Sequence, residues 1–308
     1  MSTLIEVDHL SRYFGKVCAV NDISFTLERG QVLGFLGING AGKTTTLQML
    51  SGNLAPSNGN IKIKDFTIIN NPIQAKQCIG YLPDTPPLYK DLTVTEFLIY
   101  CAKIHGVSKH EIKKTLENVL QRCALISVKN RLISNLSKGY QQRIGIAQAL
   151  IHNPDIIILD EPTVGLDPLQ IKEIRQLIKK LSEDHGIIIS THNLSEAEEV
   201  CSQVQIIHKG CLIVKERITE LMQSIKQFSL LITTKKPIDC VVLNAIDGVN
   251  AIEKISDYQV KINYLDSLDP TQSIIQCSLL NNWALIEVTP IKKSLEEIFI
   301  SYIDKEQS

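Results

Sequence analysis

The residues that could do chemistry begin with Gly37-Ile38-Asn39-Gly40-Ala41-Gly42-Lys43-Thr44, which fits the spacing G-x-x-x-x-G-K-[ST]. Glycines at these places let backbone N–H groups curl around a phosphate with no Cβ in the way. Lys43 brings a positive charge to the β- and γ-phosphates of a nucleotide. Thr44 offers a hydroxyl to Mg²⁺, a cation that takes oxygen ligands in octahedral geometry, and Thr45 carries the turn into a helix. A second stretch, "DIIILDEPT", is an apolar run ending in Asp160-Glu161. Such a run reads as a central parallel strand, and carboxylates at its C-terminal end lie where open α/β sheets bind ligands. Asp160 would hold Mg²⁺ through water; Glu161 would polarise an attacking water as general base, worth about 10²–10⁴ in rate. A third stretch, "LSKGYQQR", puts Ser137 and Gly139 at a helix start, whose free N–H groups and positive dipole end suit an anion.

These stretches need elements to hold them. Val32–Leu36 reads as the strand before the phosphate loop and "TTTLQMLSG" as the helix after it. More than a hundred residues separate the loop from the acidic strand, too many for one crossover, and part of that insert is helical. "TVTEFLIYCAKIHG" opens with a capping box, Thr93 and Glu96; "SKHEIKKTLENVLQRCAL" opens with another, Ser108 and Glu111. Ile112, Leu116, Val119, Leu120 and Cys123 then recur on one helical face. An insert of this size can hold its anion site well away from the chain's own phosphate loop. The target is then the nucleotide of a second copy, in a two-fold, head-to-tail dimer.

The order of phosphate loop, helical insert, "LSKGY", acidic strand and a histidine after the next strand resembles the ATP-binding subunit of an ABC transporter, over residues 4–225. The resemblance implies a P-loop NTPase α/β core with antiparallel and helical subdomains, the helical one spanning about 85–150. It implies ATP and Mg²⁺ as cofactors, ATP hydrolysis coupled to transport, and a second copy and a separate integral membrane permease as partners. It also assigns roles. Leu136-Ser137-Lys138-Gly139-Tyr140 stands for the signature, Asp167 in "PTVGLDP" for the acidic position of the D-loop, and His192 in "IIISTHNLSEAE" for the switch that touches the γ-phosphate. Phe14 in "RYFG" stacks on adenine, with Tyr13 the neighbouring candidate. Four positions depart from the family pattern: Ile38 for a proline, Lys138 and Tyr140 for a glycine and a glutamine of the signature, and Asp84 for the glutamine of the Q-loop. Asp84 can still approach the metal or the attacking water. The segment Asp84 to Leu98 is the expected permease contact.

Beyond the hairpin "VQIIHKGCLIVKE" and the short helix "TELMQSIK", the pattern changes. Residues 226–308 read as a small α+β, ferredoxin-like accessory domain after an ATP-binding domain of residues 1–225. Its expected strands are "FSLLITT", "NAIEKIS", "YQVKINYL" and "WALIEVTPI". Its expected helices are "DPTQSIIQCSLLNN", capped by Asp269 with Pro270 first, and "SLEEIFISYI", opened by a Ser294–Glu297 box. "CVVLNAI" fits either element. No catalytic or metal cluster occurs in this tail, and its ending resembles accessory domains of exporter-type ATPases, for drugs, polysaccharides and gliding motility.

Composition bounds the rest. The 308 residues suit two domains, and a formal net charge of -1 gives no global basic field, which argues against a nucleic-acid partner. No apolar run approaches the roughly 18–20 residues that cross a bilayer, and the N-terminus lacks a signal pattern. The expectation is a cytoplasmic chain, peripheral on the inner face of the cell membrane. The 8 cysteines hold no C-x-x-C pair and read as buried thiols of a reducing compartment. A GTPase would need a guanine-reading N-K-x-D, which is absent; a soluble factor of the same family would carry two cassettes or a coiled coil.

Overall fold

The structure, a computed structural model, describes residues 2–223, 227–265 and 269–291. Strands β1 (Thr3–Phe14) and β2 (Val17–Glu28) pair antiparallel; β3 (Val32–Leu36) then enters the phosphate loop and helix α1 (Lys43–Leu50). β4 (Asn58–Ile63), β5 (Phe66–Thr67), α2 (Pro72–Gln77) and β6 (Ile79–Leu82) follow, then the helices α3 (Val94–Ile104), α4 (Lys109–Arg122) and α5 (Lys138–Leu150). β7 (Ile156–Asp160), α6 (Pro168–Ser182), β8 (Gly186–Thr191), α7 (Leu194–Val200), β9 (Gln203–His208) and β10 (Cys211–Arg217) complete the first compact unit, residues 1–218. The short helix α8 (Ile218–Gln223) lies at the boundary.

The first unit is built on a six-stranded sheet in the order β10-β9-β3-β8-β7-β6, parallel except for β10 at one edge. Its central strands are apolar on both faces because both faces are covered. Ile157, Leu159, Ile187 and Ile189 pack with α3, α4 and α5 on one side. Ile156, Ile158 and Ile188 pack with the second sheet, β2-β1-β4-β5, on the other. In register, Leu36 lies beside Thr191, Ser190 beside Asp160, and Leu159 beside Leu82. Parallel strands end on one edge, so the residues that follow β3, β8, β7 and β6 are delivered to the same place.

Thr93 and Glu96 close the expected capping box at α3. The expected second box does not close. Ser108 is the N-cap of α4, but its hydroxyl donates to Glu111 Oε2 at 2.6 Å instead of accepting a backbone N–H. On α4, Val119 and Leu120 are buried; Ile112 and Leu116 are half-buried against the same core.

The second unit runs β11 (Gln227–Thr234), α9 (Cys240–Asn244), β12 (Val249–Ser256), β13 (Gln259–Leu265), α10 (Thr271–Leu280) and β14 (Leu285–Ile291). Its sheet is antiparallel in the order β12-β13-β11-β14, the split β-α-β arrangement of ferredoxin-like domains. Leu230, Ile232, Val260, Ile262, Ile274 and Trp283 form its core. "CVVLN" is a helix because Asp239 caps it, accepting from Val241 N–H. Helix α10 begins one residue later than expected: Pro270 is the N-cap, and Asp269 accepts from Thr271 N–H at 2.9 Å. The expected helix "SLEEIFISYI" lies outside the described residues.

Candidate active site

At two of its glycines the phosphate loop leaves no room for a side chain. Gly42 has φ +111, and a Cβ there would meet the Ala19 carbonyl oxygen at 2.5 Å. At Gly37 a Cβ would meet the Ile207 carbonyl oxygen at 2.5 Å. Gly40, Ala41 and Asn39 form the turn between them, held at Ala41, whose carbonyl accepts from Gly210 N–H. Lys43 is buried, and its ammonium donates to the Gly37 carbonyl at 2.7 Å, so the cation lies across the loop. Thr44 is exposed and Thr45 half-buried on the first turn of α1.

Asp160 closes β7 with no exposed surface. Its Oδ1 accepts from the Ser190 hydroxyl and, at 3.4 Å, from Thr44 Oγ1. Its Oδ2 is buried with no hydrogen-bond partner. Burial raises the Asp160 pKa; the Ser190 and Thr44 hydroxyls oppose this, and the charges of Asp84 and Glu161 add to it. A hydroxyl and a carboxylate with a free buried oxygen are the hard oxygen donors that Mg²⁺ takes, so the site fits that ion. Thr44 and Asp160 would hold it, and its chemistry there would be to neutralise phosphate charge.

Glu161 follows in a left-handed conformation, φ +48, fixed by its N–H donating to the Ser190 hydroxyl at 2.9 Å and carbonyl at 3.2 Å. That turn aims the carboxylate back over the loop. Oε1 lies 3.5 Å from the Lys43 ammonium, and Oε2 lies 2.9 Å from His192 Nδ1. Lys43, Thr44, Asp160, Glu161 and His192 are thus brought together. Asp84 is exposed and accepts from Thr85 N–H at 2.6 Å, yet stands near enough for its charge to raise the pKa values of both Asp160 and Tyr81.

The other expected residues lie elsewhere. Ser137 is the N-cap of α5, accepting from Tyr140 N–H at 3.5 Å. Ser137, Gly139 and Tyr140 line a hollow with Asp167, which caps α6 through Gln170 N–H; no phosphate-loop residue lines it. The Lys138 ammonium lies over Gly165 in the turn that leads to Asp167. Tyr13 and Phe14, both exposed, end β1. Tyr13 lies opposite Cys18 in the β1–β2 pair, and the Arg12 guanidinium stands 4.7 Å from the Phe14 ring centroid.

The family described as "ABC transporter" matches residues 20–164. The bacitracin transport ATP-binding protein BcrA of Bacillus licheniformis is 34% identical over 312 residues, 98% of either chain. The linearmycin resistance ATP-binding protein LnrL of Bacillus subtilis is 30% identical over 303 residues, 97% of either chain. Among solved structures, an ATP-binding subunit of an ABC transporter superposes with a TM-score of 0.65 at 32% identity, over 72% of this chain and 93% of its own. The chain belongs to the ATP-binding subunits of ABC transporters. This ATP-binding subunit is a P-loop ATPase, the family that its motifs imply.

Ser190 was not singled out by sequence, although it touches both acidic residues of the subunit's site. Its only sequence signal is its position beside Asp160 in a parallel pair, which cannot be read until the strand order is known.

Proposed function

We propose that this subunit binds ATP and Mg²⁺ as a head-to-tail dimer on the cytoplasmic face of the membrane and powers export by a separate permease. The observation that carries the reading is the convergence of Lys43, Thr44, Asp160, Glu161 and His192 at one sheet edge. Lys43 and the loop of Gly37, Asn39, Gly40, Ala41 and Gly42, with Thr45 beyond, bind the phosphates, and Phe14 stacks on the base. Thr44, Asp160 and Asp84 face the metal. Glu161 is the general base and His192 senses the γ-phosphate. Ser137, Gly139 and Asp167 serve the nucleotide of the partner copy.

No described helix is long and apolar enough to cross a membrane, which supports a separate permease. Two relatives named for antibiotic transport and resistance match along both units, which supports export. The segment from Asp84, with Tyr89 exposed, supplies a contact surface. The test is Glu161→Gln: it should keep ATP binding and slow hydrolysis at least about tenfold. Near-normal turnover would remove Glu161 from the role. Pull-down from detergent-solubilised membranes should recover a permease; recovery of soluble partners alone would overturn the transport reading.

A further inference from the structure

Between the strand ends that carry Glu161 and His192 lies a buried carboxylate that the proposed roles do not use. Glu196, on α7, is only 2% exposed. Its Oε2 accepts from Thr163 Oγ1 at 2.9 Å and from Thr191 Oγ1 at 2.8 Å. Thr163 stands two residues after Glu161; Thr191 immediately precedes His192. One oxygen atom therefore ties the turn after β7 to the end of β8, on either side of the 2.9 Å contact between Glu161 and His192.

The tie is closed on itself. Asn193 N–H donates to Thr191 Oγ1 at 3.0 Å, and Asn193 Oδ1 accepts from Glu196 N–H at 3.2 Å, which starts α7. The His192 backbone thus runs inside a ring of hydrogen bonds whose centre is the Glu196 carboxylate. Glu196 Oε1 is buried with no hydrogen-bond partner, and so is Nε of Arg175, a near neighbour on α6 whose Nη1 pairs with Glu199 at 2.8 Å. A buried carboxyl held by two hydroxyls is a poor way to stabilise a core, because a packed apolar side chain of the same volume would avoid the desolvation. What an apolar side chain could not do is join two hydroxyls across strand ends.

We propose that Glu196 is a positioning residue for hydrolysis: by bridging Thr163 and Thr191 it holds Glu161 and His192 at their working separation. The inference rests on the roles proposed above for those two residues. A displacement of about 1 Å at a reacting group can cost on the order of a hundredfold in rate, so the bridge should be felt in turnover and not in nucleotide binding.

The experiment compares Glu196→Met and Glu196→Gln in the full chain, with Glu161→Gln beside them. Glu196→Met keeps the volume and should fold as well as the parent by thermal melt, with KM for ATP within about twofold and kcat lowered on the order of tenfold to a hundredfold. Glu196→Gln keeps an oxygen that accepts from both threonines and should recover most of the lost kcat. Thr163→Val, which removes one arm of the bridge, should lower kcat in the same direction. Parental kcat in Glu196→Met would overturn the proposal. So would a loss of kcat that tracks loss of folded protein, or one that Glu196→Gln does not relieve. If instead Glu161→Gln hydrolyses ATP normally, the underlying assignment of the base has failed, whatever Glu196 does.

Discussion

Asp84 carries a full negative charge at a position where the family pattern places a neutral glutamine. Its charge reaches Asp160, whose second oxygen is buried and unpartnered. With Glu161, this makes three carboxylates around one edge, facing a ligand that is itself an anion. Without metal, such a cluster repels the γ-phosphate; a divalent cation between them reverses the sign. The Asp84→Gln variant should therefore bind ATP more tightly than the parent when Mg²⁺ is chelated. Its binding should also rise less steeply as Mg²⁺ is restored, with hydrolysis at saturating metal similar or lower. Titrating ATP binding with and without Mg²⁺ for both proteins checks this. Identical metal dependence would detach Asp84 from the nucleotide and leave it to the permease contact.

At the scale of elements, the join between helices and core has its own chemistry. His105 caps the C-terminus of α3, and its ring stacks on that of His152, just after α5, with centroids 4.0 Å apart and planes within 3°. His152 Nε2 donates to the Ile79 carbonyl at 3.0 Å, so the pair clips α3 and the end of α5 to β6. Burial lowers both histidines; His152, also opposed by the charge of His105, falls to about 4 from 6.5. A histidine held neutral in the fold but protonated when unfolded contributes stability that is whole above pH 6.5 and lost as pH falls toward about 4. Between pH 7 and 5 that loss should be of order 2 kcal/mol. Denaturant unfolding at both pH values should show it, and His152→Gln should flatten the difference. An equal difference in the variant would place the acid sensitivity elsewhere.

Nothing in the sequence pairs these two histidines, and the same limit separates what was legible from what was not. The phosphate loop was legible because its chemistry sits in consecutive residues, and the acidic strand because an apolar run marks it. Ser190 and Glu196 were not, because their partners arrive by strand order and helix packing. Caps fell between: Thr93 and Glu96 close their box, whereas the Ser108 hydroxyl spends its hydrogen bond on Glu111 itself. In the tail, strand alternation gave the sheet, and a single capping aspartate, Asp239, decided an element that apolar content alone could not.

For the whole molecule, one chain carries two helix starts suited to anions, and they do not share a cavity. The phosphate loop has Lys43 across it, while Ser137 and Gly139 open onto a hollow shared with Asp167. In the proposed head-to-tail dimer each start would meet a nucleotide: the loop of one chain below, Ser137 of the other above. The arrangement has a combinatorial consequence. In a mixture of Ser137→Ala and Lys43→Ala chains, a heterodimer holds one site with both lesions and one with neither. Each mutant homodimer, by contrast, has a lesion in both sites. The heterodimer, isolated through two different affinity tags, should therefore hydrolyse ATP at a substantial fraction of half the parental rate, with both homodimers nearly inactive. ATP-driven dimerisation of the Glu161→Gln variant, followed by light scattering, establishes that the chains pair. If the isolated heterodimer is as inactive as both homodimers while pairing is intact, Ser137 does not serve the partner's nucleotide, or the two sites fire only together. Single-turnover hydrolysis separates these cases, because a lone intact site that needs its twin only for cycling still cleaves once.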